Sequence, residues 1–175
     1  PATGYGLAEH VGDLDAVLRD AGVQRAHVAS YSRGTAYSLR WAIEHPEHVA
    51  SLAVGDYPAA HIRPPEGAVD FLASRNRFGR PMTERVSERI MRAIFAACED
   101  ETYYDSLARF HVPVLLMYGG RDGSMIDDEI LDRYRRSCSN LTLDRFDDSA
   151  HDLWLPDPAR FARHLGRFTD AADGC

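Results

Sequence analysis

Apolar residues recur every three to four positions near the start of the chain, at Leu7, Val11, Leu14 and Leu18. That spacing predicts a helix, and Gly22 supplies its C-terminal stop. Ala26-His27-Val28-Ala29-Ser30 then reads as a short buried strand. Residues 34–44 predict a helix carrying Tyr37, Leu39, Trp41 and Ile43, halted before Pro46. A second buried strand follows over residues 49–54. Strand, helix, strand is a βαβ unit, so the two strands should be parallel.

From about residue 60 to residue 105 the pattern changes. His61-Ile62-Arg63-Pro64-Pro65 breaks regular structure, and the residues after it show helical spacing at Val69 and Leu72, then at Val86, Ile90 and Ile94. No strand is predicted there. The alternation returns with the apolar run 113–118, a helix bearing Ile126, Ile130 and Tyr134, and a strand over 141–146. The last helix takes Asp157 as cap and Pro158 in its first turn, and buries Phe161, Leu165 and Phe168. The outline is an α/β sheet domain, residues 1–59 and 106–175, interrupted by a helical insertion at 60–105.

Composition narrows the chemistry. The chain has 175 residues, 45% of them hydrophobic, enough for one domain with a real core. Its net charge of -7 argues against nucleic acid or an anionic membrane surface as the main partner. No apolar run is long enough to span a membrane. All 20 basic residues are arginine. Without lysine there is no Schiff base, no lysine-held pyridoxal phosphate and no phosphate loop of the Walker type. Cys98, Cys138 and Cys175 are too scattered for a metal site or a disulfide framework. The expectation is a protein with no cofactor and no metal. No signal segment is visible, so the expected location is the cytoplasm. The lysine-free, arginine-rich usage points to a GC-rich, bacterial genome.

The sharpest local feature is Ser30-Tyr31-Ser32-Arg33-Gly34, which runs from a predicted strand directly into a predicted helix. That is the setting of a nucleophile elbow, with Ser32 central and small residues on either side so that helix and strand can approach. Ser30 stands where glycine is usual. The elbow puts Ser32 at a helix N-terminus, where backbone N–H groups, that of Arg33 among them, can hold an oxyanion. A serine needs a base and an orienting acid. Asp122, in Gly119-Gly120-Arg121-Asp122, and His151 both lie just past the C-terminal ends of predicted strands, the edge where open parallel sheets gather active residues. Taken singly, each of these residues reads equally as a turn, cap or surface residue; their joint placement in the order Ser, Asp, His is what carries weight.

Those motifs, with His45-Pro46-Glu47-His48-Val49 after the elbow helix and Pro156 before the closing helix, resemble the α/β-hydrolase superfamily, in its lipase, esterase and C–C hydrolase branch. The resemblance covers nearly the whole chain. It implies a partial α/β-hydrolase fold: a mostly parallel sheet of about four strands flanked by helices, with residues 60–105 as a small helical cap. It implies Ser32 as nucleophile, His151 as base and Asp122 as acid; some family members place the acid at the end of the strand over 49–54, which makes Asp56 the alternative, and the Gly-Gly-x-Asp setting favours Asp122. Serine at the nucleophile position points away from the epoxide hydrolases and haloalkane dehalogenases, which use aspartate. Family members carry further strands, and a second oxyanion-hole N–H, before the point where this chain begins; Pro1-Ala2-Thr3-Gly4-Tyr5 resembles the tail of the loop that follows them. Losing one such donor costs on the order of a hundred- to a thousand-fold in rate. Without those strands the strand at 26–30 should lie at a sheet edge, and the chain should form a homo-oligomer or associate with the missing N-terminal segment.

Two functions therefore compete. One is a serine hydrolase of a small-molecule ester, thioester or related carbonyl compound. The other is a non-catalytic or non-hydrolytic protein of the same fold, a binding module or cyclase-like pocket in biosynthesis. His45 and His48 read as structural. His10, His27, His61, His111 and His164 show no partner pattern. Tyr103, Tyr104 and Phe71 fit either the lining of a substrate pocket or packing between cap helices, with packing the favoured reading.

Overall fold

The computed structural model describes residues 3–77 and 79–174; Pro1, Ala2, Phe78 and Cys175 lie outside the described residues. In chain order the elements are α1 (Leu7–Asp20), β1 (Ala26–Tyr31), α2 (Gly34–Glu44), β2 (Val49–Gly55), β3 (Ala60–His61), α3 (Ala68–Ala73), β4 (Asn76–Arg77), β5 (Arg80–Pro81), α4 (Met82–Arg85), α5 (Glu88–Ala96), β6 (Glu101–Thr102), α6 (Tyr104–Leu107), β7 (Val114–Gly119), α7 (Asp128–Ser137), β8 (Leu141–Phe146) and α8 (Pro158–Asp173).

The main sheet has strand order β1-β2-β7-β8, and every pair is parallel. Its two central strands are apolar on both faces, as their unbroken hydrophobic runs require. On one face Leu52, Val54, Val114 and Leu116 pack with Leu39 of α2, Leu107 of α6 and Tyr134 of α7. On the other, Ala53, Leu115 and Met117 pack with Phe146, Leu153 and the α8 residues Phe161, Leu165 and Phe168. Truncating a leucine such as Leu52 or Leu116, both 0% exposed, to alanine costs about 2–5 kcal/mol in cores of this kind.

The helix ends follow the sequence. Asp157 accepts from the N–H groups of Ala159 and Arg160, Asp127 from Ile130, and Ser87 from Ile90. Each such cap contributes about 1 kcal/mol.

Two expectations need correction. The strand at 26–30 lies at the sheet edge, as expected of a sheet without further strands, but it is not buried: the residues of β1 are half-buried or exposed. A central strand would need cover on both faces and a neighbour on each side; β1 pairs, among the described residues, with β2 alone. Second, residues 60–105 are not purely helical. The two-residue strands β3 and β6 pair antiparallel, as do β4 and β5. None of them joins the main sheet. The β3–β6 pair sets residues 60–61 beside residues 101–102, so the chain enters and leaves this segment side by side. No helix among the described residues is long and apolar enough to cross a membrane.

Candidate active site

Ser32 sits in the turn between β1 and α2 with φ 54°, and Asp56 follows β2 with φ 45°. They are the two non-glycine residues in the left-handed region among the described residues. Such a conformation costs of order 1–3 kcal/mol and persists where surrounding structure over-determines it. Here the backbone anchors are visible. The Ser32 N–H donates to the Gly55 carbonyl at 2.9 Å, and the Asp56 N–H to the Met117 carbonyl at 2.8 Å. The Thr35 N–H closes the elbow onto the Ser32 carbonyl at 2.9 Å.

Ser32, His151 and Asp56 form one hydrogen-bonded line. His151 Nδ1 lies 2.8 Å from Asp56 Oδ2, and Nε2 lies 2.9 Å from Ser32 Oγ. A carboxylate can only accept, so Nδ1 carries the proton and Nε2 is free to accept from the Ser32 hydroxyl. The His151 ring also packs against Tyr31, with centroids 4.7 Å apart, and the Tyr31 hydroxyl donates to the His151 carbonyl at 2.9 Å. These contacts set the ring's position from the side that the hydrogen bonds leave open.

Sequence and structure part over which aspartate meets His151. Asp122 is exposed, lies on a separate depression that His151 does not line, and makes no bond to the histidine. Asp56 is fully buried. The loop after β7 does contribute, but as donors to Asp56: the Gly119 N–H at 3.1 Å, the Ser124 hydroxyl at 2.5 Å and the Met125 N–H at 2.9 Å. With His151, four donors surround one carboxylate, which is what a buried charge requires. Gly119 and Gly120 allow this approach. A side chain at Gly119 would collide with the Ala150 carbonyl, and one at Gly120 would come within 2.7 Å of Asp147 Cα.

Gly34 differs from expectation too. A Cβ there would meet nothing within 4 Å, so the helix does not press on the strand at that point. The tight position is Gly55, where a Cβ would lie 3.1 Å from both the Ser30 carbonyl oxygen and the Tyr31 ring. Ser30 holds the elbow through weak bonds to Thr35 and to the Ala53 carbonyl, both at 3.4 Å.

Arg33 begins α2 next to Ser32. Its guanidinium donates to the Cys98 sulfur at 2.9 Å and lies 4.9 Å from the Phe95 ring centroid. It thereby ties the elbow to the end of α5. Burial raises the pKa of the neighbouring Tyr37 and Tyr57 hydroxyls, while the Arg33 charge pulls them the other way. Tyr103 and Tyr104 are buried, but Phe71 is 60% exposed. Phe71 lines a cavity of about 680 Å³ that also reaches His151. No group of His, Cys, Asp or Glu among the described residues could hold a metal ion.

No family model matches the chain, and no curated protein matches it. Solved structures do. An esterase from Exiguobacterium antarcticum superposes with TM-score 0.78 at 18% identity, over 97% of this chain and 76% of the other. Another esterase, from Rhodococcus, gives 0.73 at 18% identity, over 98% and 75%. A proline iminopeptidase from Mycobacterium smegmatis gives 0.70 at 17% identity, over 98% and 75%. The chain has the α/β-hydrolase fold. It is the partial form of that fold, with four parallel strands and flanking helices. Within an α/β-hydrolase fold, the elbow at Ser32 and the turns bearing Asp56 and His151 all lie at the C-terminal edge of the sheet.

The supports of Asp56 were not found by sequence reasoning. Ser124 and Met125 act through a hydroxyl and a backbone N–H, which leave no motif. His27 was also missed as a partnered residue: its ring lies 2.8 Å from the Ser51 hydroxyl and 3.0 Å from an Asp173 oxygen, joining α8 to the sheet edge.

Proposed function

We propose that this protein is a serine hydrolase of a small-molecule ester, thioester or related carbonyl compound, with Ser32 as nucleophile, His151 as base and Asp56 as orienting acid. The unbroken line from Asp56 through His151 to Ser32, with distances of 2.8 and 2.9 Å, is the observation that supports this reading. The esterases and the peptidase of the same fold agree with it.

In this reaction Ser32 Oγ attacks the carbonyl carbon while its proton passes to His151 Nε2. The Asp56 carboxylate stabilises the imidazolium that forms. The oxyanion develops beside the N-terminus of α2, where the Arg33 N–H is the donor placed to receive it. Collapse of the intermediate breaks the bond to the leaving group, which takes the proton from His151. Water, deprotonated by His151, then attacks the acyl-enzyme; collapse breaks the bond to Ser32 Oγ, which takes the proton back from His151 as the acid leaves. Residues 60–105 serve as a cap, with α3 forming one wall of the cavity beside His151.

The test is a fluorophosphonate probe followed by mass spectrometry. Labelling at Ser32 that is lost in His151→Ala supports an activated serine. A probe that leaves Ser32 unlabelled sinks the reading and favours a non-hydrolytic pocket.

A further inference from the structure

The cavity beside His151 carries a charge pattern that the hydrolytic steps do not use. Its apolar lining comes from Phe71, Leu72, Met82, Met125, Leu155 and Pro156. Two guanidinium groups, Arg75 and Arg121, also line it. Arg75 lies over the Phe71 ring at 5.3 Å, and among the described residues neither arginine has a carboxylate within ion-pair distance. The cavity's two carboxylates are engaged by the protein itself. Asp148 is held by Arg160 at 2.6 Å, and Asp152 accepts from the Tyr31 hydroxyl at 3.2 Å. Asp122, the neighbour of Arg121, does not line this cavity; it lines an adjoining depression that Arg121 also borders. In a chain of net charge -7, Arg75 and Arg121 therefore bring two positive charges to this lining, the Arg121 charge also acting on Asp148.

The backbone places Arg121 there for the same reason that it excludes Asp122 from the triad. Gly119 and Gly120 press the loop after β7 onto the turn at 147–151, and the Arg121 N–H donates to the Ser149 carbonyl at 3.0 Å. The Gly-Gly-Arg-Asp motif thus delivers a cation next to the turn that carries His151. Arg75 follows α3 and approaches from the insertion.

We propose that this cavity binds a substrate that carries both an apolar portion and a carboxylate, such as a monoester of a dicarboxylic acid. The guanidinium fork of arginine matches a carboxylate in shape and charge, and the apolar lining takes the methylene chain. Arg75 and Arg121 are then specificity-determining residues. This inference rests on the serine-hydrolase reading and narrows its substrate.

Two measurements test it and separate its failure from that of the reading beneath it. The first compares kcat/KM for 4-nitrophenyl hydrogen glutarate with that for neutral 4-nitrophenyl hexanoate. The acid should be preferred by roughly tenfold, the size of one charge-assisted hydrogen bond. Arg75→Gln and Arg121→Gln should each move the ratio toward one, and exposed Arg109→Gln should leave it in place. The second uses calorimetry on Ser32→Ala protein, which needs no catalysis. Monomethyl adipate should bind roughly tenfold more tightly than dimethyl adipate, and the double variant Arg75→Gln/Arg121→Gln should abolish the difference. Equal binding of the two adipates, no binding of the monoanion, or a preference that survives the double variant overturns the proposal. Hydrolysis of the hexanoate without any preference for the acid overturns it while leaving the Ser32 reading intact. Selective binding of the monoanion by a protein with an unreactive Ser32 does the reverse.

Discussion

The turns after β2 and after β7 offer the same residue type, an aspartate just past the end of a central parallel strand. One of these aspartates is fully buried among four donors and the other is exposed. The difference lies in what each turn does with its backbone. The turn at Asp56 adopts φ 45° and aims its carboxylate inward. The loop after β7 is longer and wraps round that carboxylate, spending its N–H groups and the Ser124 hydroxyl on Asp56. A carboxylate becomes the partner of a histidine when the fold supplies enough donors to keep it charged out of water. Position at a strand end is not sufficient.

Exchanging the two acids breaks the comparison most sharply. Asp56→Asn should lower ester hydrolysis on the order of 10⁴-fold, because an amide there stabilises the wrong ring tautomer. Asp122→Asn should change it less than about twofold, as expected of an exposed side chain outside the relay. Equal losses in kcat from the two variants would end the assignment of Asp56.

The donor shell comes next. Ser124→Ala leaves a buried carboxylate oxygen short of one partner, at a cost of about 1–3 kcal/mol. As a positioning residue Ser124 should lower kcat more than it raises KM, and Ser124→Thr should restore most of the loss. A variant with lowered thermal stability and an unchanged kcat would make Ser124 purely structural.

The two glycines sharpen the contrast between tight and open backbone. Gly119→Ala must push the turn at Ala150 away and should destabilise the fold by about 1–3 kcal/mol. Gly34→Ala adds a methyl group to open space at a helix start. It should be neutral or stabilise by up to about 1 kcal/mol. Denaturant unfolding of both variants checks this, and a larger loss at Gly34 would contradict the packing described for the elbow.

The smallest effect concerns a buried group the fold does not engage fully. His61 is 2% exposed and its Nδ1 has no partner, in contrast to the surrounded Asp56. Burial, and then the Arg33 charge, hold its pKa below the ordinary 6.5. The unfolded chain therefore binds a proton more readily, so stability should fall as pH drops below about 6.5. His61→Leu should flatten that part of the stability curve between about pH 7 and pH 5. An unaltered slope would place the acid sensitivity elsewhere.

Much of the fold was legible in the sequence because its signals are local. Continuous apolar runs marked β2 and β7, helical spacing marked α1 and α8, and Asp157-Pro158 marked a helix start. Ser30-Tyr31-Ser32-Arg33-Gly34 between a strand and a helix marked the elbow. The short pairs β3–β6 and β4–β5 escaped, because a two-residue strand has no period to detect.

The sequence by itself determined the order of the four main strands and the helices between them, the serine at the strand-to-helix turn and the turn that carries His151. Periodicity and strand-to-helix junctions are written in neighbouring residues. Only the tertiary structure decided which aspartate meets the histidine, that Gly55 and not Gly34 is the tight glycine, and that Phe71 and Arg121 line one cavity. Each of these depends on where distant backbone comes to rest. A carboxylate's partners, like the space around a glycine, are set by loops far away in sequence, and no local pattern records their approach.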